Sequence, residues 1–142
     1  MNINFRLTTS HDVSAIFLID TVATPERLLE ITQWVKQNTY FVLEANDEIL
    51  AYGVLTHHFY SHGFIELLMV NNKYRRQGFG HILINKLKEQ SKTDKIFTST
   101  NQSNLATQKL LEKTGFVPSG YIDNLDDNDP ELIYYYNRVK TI

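Results

Sequence analysis

The stretch Val70-Asn71-Asn72-Lys73-Tyr74-Arg75-Arg76-Gln77-Gly78-Phe79-Gly80-His81 constrains this chain more than any other. It joins an apolar run, Phe64 to Val70, to an amphipathic one, Phe79 to Leu87, which is the pattern of a strand feeding a helix. Between them lies a basic turn punctuated by Gly78 and Gly80. The first amides of a helix have no partner inside it, and glycines let a ligand come close to the backbone. Arg75 and Arg76 add positive charge beside those amides. The segment therefore reads as a cradle for an anionic group, a phosphate above all.

Neither common nucleotide fingerprint is present. No Lys-Ser or Lys-Thr follows the glycines, and position 83 is Leu where a dinucleotide motif needs its third Gly. What stands here is Arg-x-x-Gly-x-Gly, with Arg75, Gly78 and Gly80 in the fixed places. Downstream, Asn104 to Phe116 reads as a capped amphipathic helix. Ser103 or Asn104 serves as N-cap, Leu105, Ala106, Leu110 and Leu111 supply an apolar stripe, and Gly115 sits where a helix turns out. These two signatures, in this order and with a strand-like Lys95 to Thr100 between them, resemble those of the GNAT superfamily, the acetyl-CoA-dependent N-acetyltransferases. The resemblance is firm over the C-terminal half and rests on element order in the N-terminal half.

Ile3 to Leu7 alternates as a strand does, and Thr9 or Ser10 can cap a helix carrying Val13, Ile16, Phe17 and Ile19. Thr24-Pro25-Glu26 starts a second helix, with Leu28, Leu29, Ile31, Trp34 and Val35 as its apolar residues. Strands Tyr40 to Ala45 and Ile49 to Thr56 meet at Asn46-Asp47-Glu48, and Phe64 to Val70 is the fourth strand. After a helix from Phe79 to Lys88 and the second-signature helix, Phe116 to Asp123 and Leu132 to Asn137 form a hairpin around Asp126 to Pro130. The order is β-α-α-β-β-β-α-β-α-β-β. The resemblance implies an α/β (α+β) fold with a single mixed, mostly antiparallel sheet flanked by about four helices. A chain of 142 residues fits one domain, residues 1–142.

Composition narrows the chemistry. A net charge of −2 argues against nucleic-acid binding, since no basic excess exists to neutralise phosphates along a strand. Zero cysteine removes disulfides, thiolate metal sites and a cysteine nucleophile. The N-terminus lacks a signal-peptide core and no apolar run reaches membrane-spanning length, so a cytoplasmic protein without membrane partners is expected. His57, His58 and His62 lack a helical i, i+4 pair or a supporting carboxylate and read as loop histidines. The acidic run Asp123 to Glu131 lacks the EF-hand order. No metal is expected.

The resemblance implies acetyl-CoA as cosubstrate. Its pyrophosphate would sit on the backbone of Gln77, Gly78, Phe79, Gly80 and His81, beside Arg75 and Arg76. Its pantetheine arm would run against the fourth strand at Leu68, Met69 and Val70, with a backbone N–H near Val70 serving the oxyanion. Asn104 would bond the coenzyme arm or a nearby water, a role that can coexist with helix capping. An alkyl ammonium must lose a proton before it can attack. Glu66, the only carboxylate in the fourth strand, is a candidate base or a structural salt-bridge partner. By alternation it shares a face with Phe64 and Leu68. Many relatives place a general-acid tyrosine four residues before the Gly of Gly-Phe, where this chain has Leu111; Tyr121 and Tyr134 to Tyr136 are other hydroxyl sources. The expected function is acetyl transfer to a primary amine of a small molecule or peptide. The rival is a coenzyme-A-binding module whose catalysis has lapsed.

Overall fold

The computed structural model describes residues 2–139. The elements run β1 (Asn4–Leu7), a 3-10 turn (Ser10–Asp12), α1 (Val13–Ile19), α2 (Pro25–Lys36), β2 (Tyr40–Ala45), β3 (Glu48–Phe59) and β4 (His62–Val70). A second 3-10 turn (Asn72–Tyr74) leads to α3 (Phe79–Gln90), β5 (Lys95–Asn101), α4 (Leu105–Lys113), β6 (Val117–Ile122) and β7 (Glu131–Asn137). The seven strands are ordered β1-β2-β3-β4-β5-β7-β6. The β4–β5 ladder is parallel, and the ladders β1–β2, β2–β3, β5–β7 and β6–β7 are antiparallel. This is the mixed α+β architecture expected. By internal contacts the chain forms two compact units, one from the segment up to Leu55 plus Leu67–Lys86, the other from Thr56–Glu66 plus the chain from Leu87 onward.

In the first unit, Ile16, Ile31, Val35, Tyr40, Val42, Tyr52 and Val54 form one buried cluster, with Leu67 and Met69 packed against it. Thr24 caps α2 by accepting from the Arg27 amide at 3.1 Å, and Pro25 occupies the first turn as its sequence signalled. Ile31 and Val35, four apart, define the inward line. Leu29 lies two residues from Ile31, on the opposite side of the helix, and is 68 % exposed, so it leaves the expected stripe. At α1 the predicted helix start is a 3-10 turn, because the Asp12 carboxylate reaches back to the Thr9 amide at 2.7 Å. Asn46 and Asp47 both adopt left-handed φ (51° and 63°), the two-residue hairpin turn their types favour.

Arg6 ties this unit's edge together. Its guanidinium donates to both Asp12 oxygens at 2.9 Å and to both Glu44 oxygens at 2.8 and 3.0 Å. The hydrogen bonds from Arg6 hold the Asp12 carboxyl down to about 2, and they lower Glu44 as well. A carboxyl depressed in the folded state stabilises above its unfolded pKa, and that contribution vanishes as pH falls through the folded value. Wild-type stability should therefore drop between about pH 4 and pH 2 by about 1 kcal/mol more than that of Arg6→Met, a small figure because the pair is partly solvated. Urea melts of both proteins across that range measure the difference.

In the second unit, β5 pairs with β7 from Lys95↔Asn137 to Asn101↔Glu131. One face is buried through Ile65, Ile96, Thr98 and Tyr134. The α4 helix ends as its Gly-Phe pair indicated. Gly115 takes φ 94°, its amide bonds Glu112 O at 3.1 Å, and the Phe116 amide bonds Leu111 O at 3.0 Å. The buried Lys88 ammonium donates to the Thr114 carbonyl and lies 3.7 Å from the centre of the Tyr136 ring. Burial lowers its pKa.

Two expectations for this unit are corrected. Leu105 is 63 % exposed and Ala106 is also exposed, because the inward line of α4 runs through Leu111 and Thr114 at helical spacing. His57 and His58 stand on β3 and His62 opens β4, so none of the three is a loop histidine. Tyr60 and Ser61 close a two-residue turn with φ 51° and 67°, which lengthens both strands towards the hairpin tip.

Candidate functional site

The strand–turn–helix of the first unit is built from its backbone outward. Asn71, the residue after β4, fixes the turn to β3 from both ends. Its amide donates to Leu50 O and its side-chain Nδ2 to Ile49 O, each at 2.9 Å. Its Oδ1 accepts from the Lys73 amide at 3.1 Å and opens the 3-10 turn. The edge of the Tyr74 ring meets Phe79, centroids 6.3 Å apart, and Phe79 is buried at the start of α3. Asn71 and Tyr74 are positioning residues that the motif reading passed over. An Asn just after a strand, bonding two residues ahead, is the one local signal that marked the first of them.

Between these anchors the chain turns sharply. Arg75 is extended, Arg76 is left-handed at φ 64°, and Gly78 is left-handed at φ 84°. The first helical bond runs from the Ile82 amide to Gly78 O at 3.2 Å, so the amides of Phe79, Gly80 and His81 precede it. Gly78 has no side chain to cap them. In α2 and α4 one first-turn amide is taken by a side chain, that of Arg27 by Thr24 and that of Thr107 by Asn104. Among the described residues no side chain caps the first turn of α3. A Cβ built on Gly78 meets nothing within 4 Å, so the backbone is open to approach there. Arg75 and Arg76 are exposed and form no ion pair among the described residues. Uncapped amides, a bare Cα and two guanidiniums without an ion pair are the kinds of group that can hold an anion.

On β4, Leu68, Met69 and Val70 are half-buried, with Met69 packed against the core cluster of the first unit. Glu66, in the second unit, is exposed between buried Ile65 and half-buried Leu67 and has no ion pair among the described residues. The parallel ladder to β5 pairs Gly63, Phe64 and Ile65 with Ile96, Phe97 and Thr98, and the Thr98 hydroxyl donates to Ile65 O at 2.9 Å at its end. Also in the second unit, Asn104 is exposed and its Oδ1 accepts from the Thr107 amide at 3.2 Å, which is the capping role. Leu111 is fully buried. Of the tyrosines, Tyr121 is 66 % exposed, whereas Tyr134 is buried and its pKa is raised, by burial first and Glu112 second. Among the described residues no group of three or more His, Cys, Asp or Glu side chains is arranged to hold a metal, and no helix is long and apolar enough to cross a membrane.

The fold is α+β, with this uncapped, arginine-flanked turn where β4 passes into α3. Residues 11–116 match the acetyltransferase (GNAT) family, and the chain belongs to that family. A GNAT-family acetyltransferase from Bacillus cereus superposes with a TM-score of 0.90 at 27% identity, covering 99% of this chain and 100% of that one. A candidate streptothricin acetyltransferase from Bacillus anthracis, solved with acetyl coenzyme A, gives a TM-score of 0.77 at 17% identity over 96% of this chain and 98% of that one. A chain of the NatC complex bound to Gag peptide and CoA gives 0.76 at 19% identity over 96% and 99%. The last two likenesses are of fold alone. Among proteins of curated function none matches the sequence.

Proposed function

We propose that this acetyltransferase moves the acetyl group of acetyl-CoA directly onto a primary amine. The observation that carries the reading is the uncapped first turn of α3 behind Gly78 and the two free arginines, which suits the coenzyme's pyrophosphate. In this reading the pantetheine arm pairs with the backbone of Leu68, Met69 and Val70, and an N–H near Val70 stabilises the oxyanion of the tetrahedral intermediate. Glu66 takes the proton that the ammonium must lose, directly or through a water. The amine nitrogen then attacks the acetyl carbon, the tetrahedral intermediate collapses with the C–S bond breaking, and the second proton of the nitrogen passes through water to the departing thiolate. Asn104 assists the coenzyme arm while capping α4.

The exposure of Glu66 without an ion pair favours the base over the salt-bridge role. Leu111 brings no hydroxyl to the leaving thiolate, yet an alkyl thiol of pKa about 8.5 leaves tolerably near neutral pH. The amine belongs to a small molecule or a peptide; relatives of the same fold include one named for streptothricin and one bound to a Gag peptide. An acetyl-CoA turnover assay across an amine panel tests the reading: release of free thiol that depends on one class of amine is expected. Absence of turnover with every amine, with coenzyme binding retained, would favour a lapsed module.

Leu111→Tyr separates the two further. Because Leu111 is fully buried, the larger ring should cost about 1–3 kcal/mol of stability, read in urea melts. Turnover should rise only modestly if the wild type is already an enzyme. A variant that becomes active where the wild type is inert would identify the lapsed module.

A further inference from the structure

The second unit carries a continuous aromatic surface that the transfer reading leaves unexplained. Phe64 pairs with Phe97 and Phe97 with Tyr135, so the three rings stand in one line across β4, β5 and β7. Phe59 joins them, with centroids 4.9 Å from Phe64 and 5.0 Å from Phe97, and Tyr135 is 5.2 Å from Phe97. All four are half-buried, in contrast to Ile65, Ile96 and Tyr134 on the opposite face, which are buried. Rings buried to fill a core lie beneath other elements. These lie side by side and keep part of their faces accessible.

The line is extended at an energetic cost. Tyr60, edge-on to Phe59 at 5.1 Å, sits at the hairpin tip with φ 51° and is 84 % exposed. A left-handed turn position favours Gly, Asn or Asp, and a bulky residue there is strained by about 1 kcal/mol or more.

Further along its strands the face is anionic. The alternation of half-buried Phe64, buried Ile65 and exposed Glu66 places the Glu66 carboxylate on the Phe64 face, about 7 Å further along the strand. Glu131 shares the face through β7, where one of its oxygens accepts from the Ser99 hydroxyl at 2.7 Å. Aromatic faces attract organic cations, and an unpaired carboxylate fixes the ammonium end. The face is thus complementary to one ligand chemistry: an organic cation with a flat or extended apolar body.

We propose that this face is the acceptor-binding surface and that the acceptor is an arylalkyl primary amine. Its apolar body lies on Phe64, Phe97 and the Phe59–Tyr60 tip, and its ammonium is directed to Glu66. The proposal rests on the amine-acetylation reading, which it deepens by naming the acceptor class.

The test is calorimetric titration of the coenzyme-A-loaded protein, which needs no turnover. 4-Phenylbutylamine should bind at least about tenfold more tightly than butylamine, and 4-phenylbutyric acid should not bind detectably. Phe97→Leu should weaken 4-phenylbutylamine about tenfold with butylamine and coenzyme affinity unchanged. Tyr60→Asn relieves the turn, so it should hold or raise the melting temperature while weakening 4-phenylbutylamine about threefold. Equal affinities for the two amines, binding of the acid as tight as that of the amine, or wild-type binding in both variants would each overturn the proposal. Specific amine binding without acetylation would uphold this surface and overturn the transfer reading. Acetylation indifferent to the amine's body would do the reverse.

Discussion

Gly78→Val should reduce acetyl-CoA affinity by about 100-fold or more while leaving the domain folded. Gly78 combines two properties that bear on ligand approach at this turn. Its φ of 84° is a left-handed conformation in which a β-branched residue is strained, and its Cα faces open space. The added side chain would find no protein atom within 4 Å to clash with. It would instead occupy the volume a pyrophosphate needs to reach the amides of Phe79, Gly80 and His81. Loss of several charge-assisted hydrogen bonds, at about 1.5–3 kcal/mol each, accounts for the expected factor. The strain itself costs about 1–2 kcal/mol, a modest fraction of a domain's stability, so a cooperative melt should survive. Titration calorimetry on the folded variant gives the answer, and unchanged affinity would remove the pyrophosphate assignment. Gly78→Ala keeps the conformational penalty with less bulk and should fall between the two.

Glu66→Gln should lower turnover by about 100-fold with acetyl-CoA affinity nearly intact. Glu66 is exposed and makes no ion pair among the described residues, so the isosteric amide removes the proton acceptor without breaking a structural contact. The melting temperature should therefore stay at the wild-type value, which separates the chemical effect from a packing one. If Glu66 is the base, raising the pH should partly rescue the variant, because more of the amine is then already neutral. Wild-type turnover in Glu66→Gln would pass the proton transfer to a water chain and leave Glu66 as an ammonium-binding group only.

The strand–turn–helix from β4 to α3 was legible because its determinants are local. Arg75, Gly78 and Gly80 lie within six residues of each other, and the strand–turn–helix around them follows from hydrophobic period and glycine placement. Helix α4 was legible in part. Its caps act over three or four residues: of the two N-cap candidates, Ser103 and Asn104, Asn104 takes the role, and Gly115 ends the helix as expected. Its inward face was not, because which side of a nine-residue helix is buried depends on what it packs against. Leu105 and Leu111 look alike in the sequence, yet one is 63 % exposed and the other fully buried.

The sequence by itself determined the order of elements, the strand–turn–helix around Gly78 and the family signatures, all of which arise from interactions within a few residues. Only the tertiary structure decided what depends on register and long-range pairing. Asn71 secures the turn through residues 22 and 21 positions earlier, Ile49 and Leu50, which no local pattern announces. Phe64, Phe97 and Tyr135 are more than 30 residues apart at each step and come into line because the β4–β5 and β5–β7 registers happen to match them. A shift of one residue in either ladder would send a ring to the opposite face, so the pairing, not the composition, creates that surface.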